Sequence, residues 1–172
     1  KLLLVVGRRE RLKGWALCRD LLDVLPAHCS LISVGQGNNP EHPRLVTRNP
    51  VSPDELRDYY SAADWTISPS LYEGFGLTLL ESWACGTPVI ASPTGLAHDL
   101  RGQSALLDAC TAPRTDDFKA LLEVIRRVID DETLASAQAQ WGKKLTTSRF
   151  NEEGFCKSWA EVLAQTSTEK RT

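Results

Sequence analysis

Two carboxylates, two glycines and two cations are the residues of this sequence with chemistry to offer. From Ser68 the chain reads Ser-Pro-Ser-Leu-Tyr-Glu-Gly-Phe-Gly-Leu-Thr-Leu-Leu-Glu, ending at Glu81. It leaves an apolar stretch, crosses a glycine-rich turn and enters a helical pattern. Gly74 and Gly76 carry no Cβ, so the backbone there can approach a ligand closely. The free N–H groups and positive dipole end of a helix starting near Gly76 suit an anion such as a diphosphate. Glu73 precedes the turn and Glu81 follows eight positions later. Carboxylates beside phosphates repel them, unless each accepts hydrogen bonds from hydroxyls flanking the diphosphate. Charge-assisted bonds of that kind contribute about 1.5–3 kcal/mol each. Taken singly, Glu73 could simply cap the turn and Glu81 be a solvated helix residue. The cations are Arg8 and Lys13 in Gly7-Arg8-Arg9-Glu10-Arg11-Leu12-Lys13-Gly14. Alone this reads as a basic surface loop; facing a second phosphate-friendly turn, it reads as a cradle. Arg9 and Arg11 are expected to face solvent.

The elements that must hold these residues alternate in type. Leu2–Val6 is a short apolar run of the sort a parallel sheet covered on both faces requires. Leu12, Trp15, Ala16, Leu21, Leu22 and Leu25 recur at helical spacing until Pro26 stops the helix. Residues 31–34 form a second strand, closed by the turn Gly35 to Pro40, and Leu45-Val46 a short third. Ser52-Pro53-Asp54-Glu55 is a helix start, with Ser as cap, Pro at the first position and Glu at the third. That helix ends near Ala63. Residues 65–68 are a strand, a helix runs from about Gly76 to Cys85, residues 87–91 return as a strand, and Ala105–Leu107 is expected as the last. Beyond Pro113 only helices are predicted, over 116–131, 133–146 and 151–165, the last with Phe155, Trp159 and Leu163 on one face. The pattern predicts an α/β fold, a Rossmann-like parallel sheet sandwiched by helices. Residues 1–165 form one domain, and 166–172 are expected to be a polar, disordered tail.

Composition narrows the function classes. The chain has 172 residues, is 42% hydrophobic and 24% charged, and carries a formal net charge of -2. The missing basic excess argues against a nucleic-acid binder, and no apolar run approaches the ~18–20 residues of a membrane span. Five cysteines, an odd number with no C-x-x-C pair, read as reduced thiols rather than a disulfide framework. The three histidines lack zinc-site spacing. The chain opens inside a strand and contains no Met, so it is expected to be a piece of a longer protein.

The segment from Glu73 to Glu81 closely resembles the E-x7-E motif of retaining glycosyltransferases with the GT-B fold, in particular the family 4-like group, the glycosyl transferases group 1. Residues 7–14 resemble that family's G-R-x4-K-G loop, Val34-Gly35-Gln36-Gly37 its V-G-x-G turn, and Gly86 to Ser92 its G-T-P-V-I-A-S strand. The resemblance runs from residue 1 to about 165 and departs at Pro93–Asp99, where the family carries a Gly-Gly pair and a Glu. It implies one half of a GT-B fold, the carboxyl-terminal, donor-binding one. By position, Glu73 takes the donor sugar and Glu81 the ribose hydroxyls, while the backbone of Gly74, Phe75, Gly76, Leu77 and Thr78 meets sugar and diphosphate. Arg8 and Lys13 neutralise the diphosphate; with Glu73 they are the candidate catalytic residues. Arg48 and the backbone of Asn49 to Val51 are expected to frame the nucleobase.

The implied reaction is metal-independent transfer of a sugar, with retention, from a nucleotide-diphosphate sugar to a saccharide, lipid or similar acceptor. No cofactor is implied; Asp130-Asp131 is placed in a later helix, away from the donor loops. The partners implied are the donor and an amino-terminal acceptor-binding domain across a cleft, onto which the final helix crosses back. The setting implied is the cytoplasm, with the inner face of the membrane as the alternative, although the mixed polar face of the helical tail does not argue for it. Two other readings stay open: another GT-B sugar-nucleotide enzyme, such as an epimerase or a glycogen-synthase relative, and a non-catalytic nucleotide-binding module.

Overall fold

The computed structural model describes residues 1–38, 41–115 and 117–169. Five parallel strands form its sheet: β1 (Leu2–Val6), β2 (Ser30–Val34), β3 (Leu45–Arg48), β4 (Trp65–Ser68) and β5 (Val89–Ala91). Their order is β3-β2-β1-β4-β5. Leu3 sits beside Leu31 on one side and Trp65 on the other, so β1 is central and the winding reverses between β1 and β4.

Side chains alternate across the sheet, and helices cover both faces. On one face Leu3, Val5, Leu31, Trp65 and Ile67 pack with Leu21, Leu22 and Leu25 of α1 (Trp15–Val24) and its end, and with Leu121, Ile125 and Val128 of α6 (Phe118–Val128). On the other, Leu4, Val34 and Tyr60 of α2 (Pro53–Ala62) form one cluster. Beside it, Leu79, Leu80 and Trp83 of α3 (Leu77–Ala84) form another with Val89 and Ala91. Helix α7 (Glu132–Arg149) lies against α3, and Gly142 permits this, since a Cβ there would collide with the Trp83 ring. The predicted capping box forms: Ser52 Oγ accepts from Glu55 N, and Glu55 Oε2 from Ser52 N at 3.1 Å.

Four expectations change. Ala105–Leu107 is not a strand but belongs to α5 (Ala105–Ala109). Only Leu107 of the three is buried, a one-sided demand that a helical turn meets. The sheet edge is touched instead by Thr111, through a single bridge to Ala91. The first helix starts at Trp15, not Leu12; residues 11–13 form a separate 3₁₀ turn and Leu12 is exposed. Asp130 and Asp131 lie between α6 and α7 rather than inside a helix, and Asp131 caps α7 by accepting from Leu134 N at 2.8 Å. Finally, the last helix, α8 (Glu152–Glu169), continues past 165. A four-residue helix, α4 (Leu96–Asp99), follows β5. Of the turn expected over Gly35 to Pro40, Asn39 and Pro40 lie outside the described residues.

Candidate functional site

In open α/β sheets ligands bind outside the carboxyl ends of the strands, where the winding reverses. Two loops leave from that point here, residues 7–14 after β1 and residues 69–76 after β4. Their backbones meet where Leu71 N–H donates to the Leu12 carbonyl at 2.9 Å. Gly14, in the left-handed conformation (φ 67°), lies so close to Pro69 that a Cβ would collide with its carbonyl. Across this junction Lys13 Nζ donates to Glu73 Oε1 at 2.7 Å. The same oxygen accepts from Ser70 Oγ, also at 2.7 Å. The lysine side chain is 31% exposed and the carboxylate 12%. The pair is therefore shielded enough to be strong and open enough to exchange partners.

The turn after Glu73 enters α3 through Gly76, which is left-handed (φ 96°) and caps the helix without a side-chain hydrogen bond. The first N–H groups of α3 and its positive end are thus presented by backbone alone. Leu96 N donates to the Phe75 carbonyl at 2.6 Å, so the loop after β5 braces this turn. Phe75 and Leu77 are exposed, and Thr78 is half-buried. One turn further along α3, Glu81 Oε2 accepts from the Tyr60 hydroxyl at 2.7 Å.

Arg8 is 68% exposed and pairs with Glu10 at 3.1 Å, apart from the Lys13–Glu73 pair. It borders a hollow of about 230 Å³ at the ends of β1 and β2, whose other walls include Val34, Gly35, Gln36, Val51 and Leu56. Of the residues expected around a nucleobase, Pro50 and Val51 line this hollow and Arg48 and Asn49 do not. Arg48 turns its Nε to the Tyr59 hydroxyl at 3.2 Å, and Asn49 is exposed. The structure thus joins Lys13, Glu73 and the Gly74–Thr78 turn, sets Arg8 and Val51 at the hollow, and leaves Arg48 outside its lining.

Arg9 departs from expectation. It is 8% exposed, with its Nε donating to the Asn38 carbonyl at 3.0 Å and an NH to the Arg48 carbonyl at 3.1 Å. Its guanidinium also stands over the Trp15 ring, 6.0 Å from the centroid. Loop ends after β2 and β3 have carbonyls that need donors, and the planar fork of one arginine serves several at once. Nothing in the run Arg8-Arg9-Glu10-Arg11 distinguishes this arginine from its neighbours. Sequence reasoning also missed Ser70 and Tyr60. A Ser three residues before a Glu is the spacing of a local hydrogen-bonded turn and signals the first; Tyr60, on another helix from Glu81, has no such signal.

Together these features define a doubly wound α/β domain whose glycine-bearing loops meet at the point of reversal. The chain belongs to the glycosyl transferases group 1, whose family model matches residues 1–131. A D-inositol 3-phosphate glycosyltransferase of Corynebacterium jeikeium is 38% identical over 126 residues, covering 59% of this chain and 30% of that protein. Among solved structures, sucrose-phosphate synthase of Thermosynechococcus elongatus superposes with a TM-score of 0.80 at 27% identity, over 98% of this chain and 46% of that one. Anabaena HepE in complex with UDP-glucose superposes with a TM-score of 0.82 at 20% identity, over 95% and 48%. The fold is that of one half of a GT-B glycosyltransferase, and the chain spans less than half the length of each of these proteins. Among the described residues no helix is long and apolar enough to cross a membrane.

Proposed function

We propose that this chain is the carboxyl-terminal, donor-binding half of a retaining glycosyltransferase that uses a nucleotide-diphosphate sugar. The observation that carries this reading is the meeting of the two loops, with Lys13 held on Glu73 at 2.7 Å beside the uncapped start of α3. The diphosphate takes the place between Lys13, Arg8 and the helix N–H groups, and draws Lys13 off Glu73. The carboxylate is then released to accept hydrogen bonds from the sugar hydroxyls. The nucleoside lies in the hollow beside Val51, with Glu81 on its ribose. As the bond from the anomeric carbon to the diphosphate oxygen breaks, its electron pair goes to the diphosphate. Lys13, Arg8 and the N–H groups stabilise that charge, an effect that commonly dominates such catalysis. The acceptor oxygen bonds to the anomeric carbon on the face the diphosphate leaves, and its proton passes to the departing diphosphate oxygen. The cations do the work a metal ion does elsewhere, so no metal takes part.

The acceptor, a saccharide, lipid or similar hydroxyl compound, belongs to an amino-terminal domain across the cleft, in a cytoplasmic enzyme. Helix α8, with Phe155, Trp159, Val162 and Leu163 exposed, offers that domain an apolar face. Alone, the chain binds donor weakly and transfers nothing.

Thermal unfolding with UDP, GDP, ADP and their common sugar conjugates tests this, with UDP-glucose first because HepE holds it. A ligand at 100 times its Kd stabilises by about 2.7 kcal/mol, and each kcal/mol moves the midpoint by about 2–4 °C for a domain of this size. The expected result is a shift with one nucleotide that Glu81→Ala diminishes. No shift with any of them at millimolar concentration would overturn the reading.

A further inference from the structure

Tyr60 is a buried side chain whose hydroxyl reaches α3, the helix that leaves the donor loop. Its residue is 1% exposed and packs in the cluster of Leu4 and Val34, with Val51 and Leu56, two walls of the hollow, against it. Its ring therefore shares a cluster with two walls of the hollow, while its hydroxyl reaches α3. There the phenol donates to Glu81 Oε2 at 2.7 Å. Burial first, and the Glu81 carboxylate second, push the phenol pKa up, so the group keeps its proton and remains a donor at any physiological pH. Thr87 Oγ1 fixes the backbone beneath it by donating to the Tyr60 carbonyl at 2.6 Å.

A glutamate on the exposed side of a helix samples several rotamers, and a ligand that needs one of them must first order it. Glu81 is exposed, yet one of its oxygens is fixed by a donor from the buried layer. We propose that Tyr60 is a positioning residue, which holds the Glu81 carboxylate in the orientation that accepts the ribose hydroxyls of the nucleotide. This rests on the assignment of Glu81 to the ribose. It adds that the ring aiming the carboxylate is anchored in the same apolar cluster against which Val51 and Leu56, two walls of the hollow, are packed.

The test is a calorimetric titration of the 172-residue chain with UDP, GDP and ADP, then with the 2′-deoxy and 3′-deoxy forms of whichever binds. In the native chain the ribonucleotide is preferred, and Glu81→Ala removes the preference. Tyr60→Phe, which keeps the ring, weakens the ribonucleotide by about 2- to 10-fold, the span expected for releasing one ordered side chain. It leaves the deoxynucleotides almost unchanged. Equal weakening of both would mean a purely structural tyrosine and overturn the proposal. A preference lost in Glu81→Ala but intact in Tyr60→Phe overturns the proposal alone. A preference that Glu81→Ala leaves intact overturns the ribose assignment and the proposal with it, as does binding of none of the three nucleotides. If Tyr60→Phe does not fold, Thr87→Val, which removes the 2.6 Å bond that fixes the Tyr60 backbone, is put through the same comparison of ratios.

Discussion

Lys13 and Glu73 are each other's partner before any ligand arrives, and this decides what a substitution at either would do. The pair lies 2.7 Å apart with the carboxylate 12% exposed, so its contribution exceeds that of a free surface pair, whose median is about 0–1 kcal/mol. A diphosphate must compete with Glu73 for the ammonium, and the sugar hydroxyls then take the carboxylate. Replacing Lys13 with Met should therefore weaken a nucleoside diphosphate by about 10- to 100-fold, the loss of one charge-assisted hydrogen bond. The matching nucleoside, which has no phosphate to reach the loop, should keep its affinity. Equal losses for nucleoside and diphosphate in a titration would place Lys13 outside the phosphate site. At this scale the sequence was readable where spacing carries the geometry, because Lys13, Gly14 and the Glu73–Glu81 interval each belong to one continuous loop or turn. It was unreadable where a side chain crosses between elements. Arg9 looks like any loop arginine until the carbonyls of Asn38 and Arg48 are brought to it.

At the scale of elements, β5 is the edge of the sheet, and α7 supplies what a sixth strand would. The Gln138 amide donates to the Val89 carbonyl at 2.7 Å and accepts from the Val89 N–H at 2.7 Å, with Trp83 Nε1 also donating to it at 3.2 Å. Gln138 is fully buried, so its removal strands backbone groups away from water, at about 1–3 kcal/mol for each group left unpaired. Gln138→Leu, similar in volume, should destabilise by about 3 kcal/mol and lower the thermal midpoint by about 6–12 °C. A change smaller than about 1 kcal/mol in chemical unfolding would show that the edge satisfies itself. The same edge explains the misplaced strand. Ala105-Leu106-Leu107 is an apolar run too short for periodicity to separate strand from helix. With Gln138 and the 110–112 backbone occupying β5, no strand position was left for it. Elements whose signals are local came through: the capping box of α2, and the strands bounded by Gly7 and Gly35. Helix ends slipped by a few residues wherever the stopping signal lies in tertiary contact, as Gly14 against Pro69 does for α1.

For the whole molecule, the balance of covered and uncovered apolar surface sets α8 apart. The sheet and its two helical layers bury most of their apolar residues and expose single ones such as Val24, Val46 and Leu77, whereas α8 leaves Phe155 at 64%, Trp159 at 53%, Val162 at 49% and Leu163 at 60% exposure. Between its start and the donor loop runs an apolar groove of about 740 Å³, floored by Leu80 and Phe150 and edged by Phe75 and Leu77. A contiguous patch of this kind is unusual on a soluble monomer. The sequence announced the apolar stripe on this helix but not what it covers, since a stripe has the same spacing whether its partner lies within the domain or outside it. Because the described residues of α8 bury so little, they contribute little to the stability of the sheet domain. Ending the chain after Asn151 should leave the thermal midpoint within about 2 °C, for a loss below about 1 kcal/mol. Binding of a dye that reports exposed apolar surface should fall at the same time. Nucleotide affinity should persist in the shortened chain, since Lys13, Glu73, Glu81 and Tyr60 all lie before the cut. A fall of 10 °C or more, equal to about 3 kcal/mol, would mean instead that α8 completes the core of this half. The apolar face would then be a by-product of packing rather than a surface held for another domain.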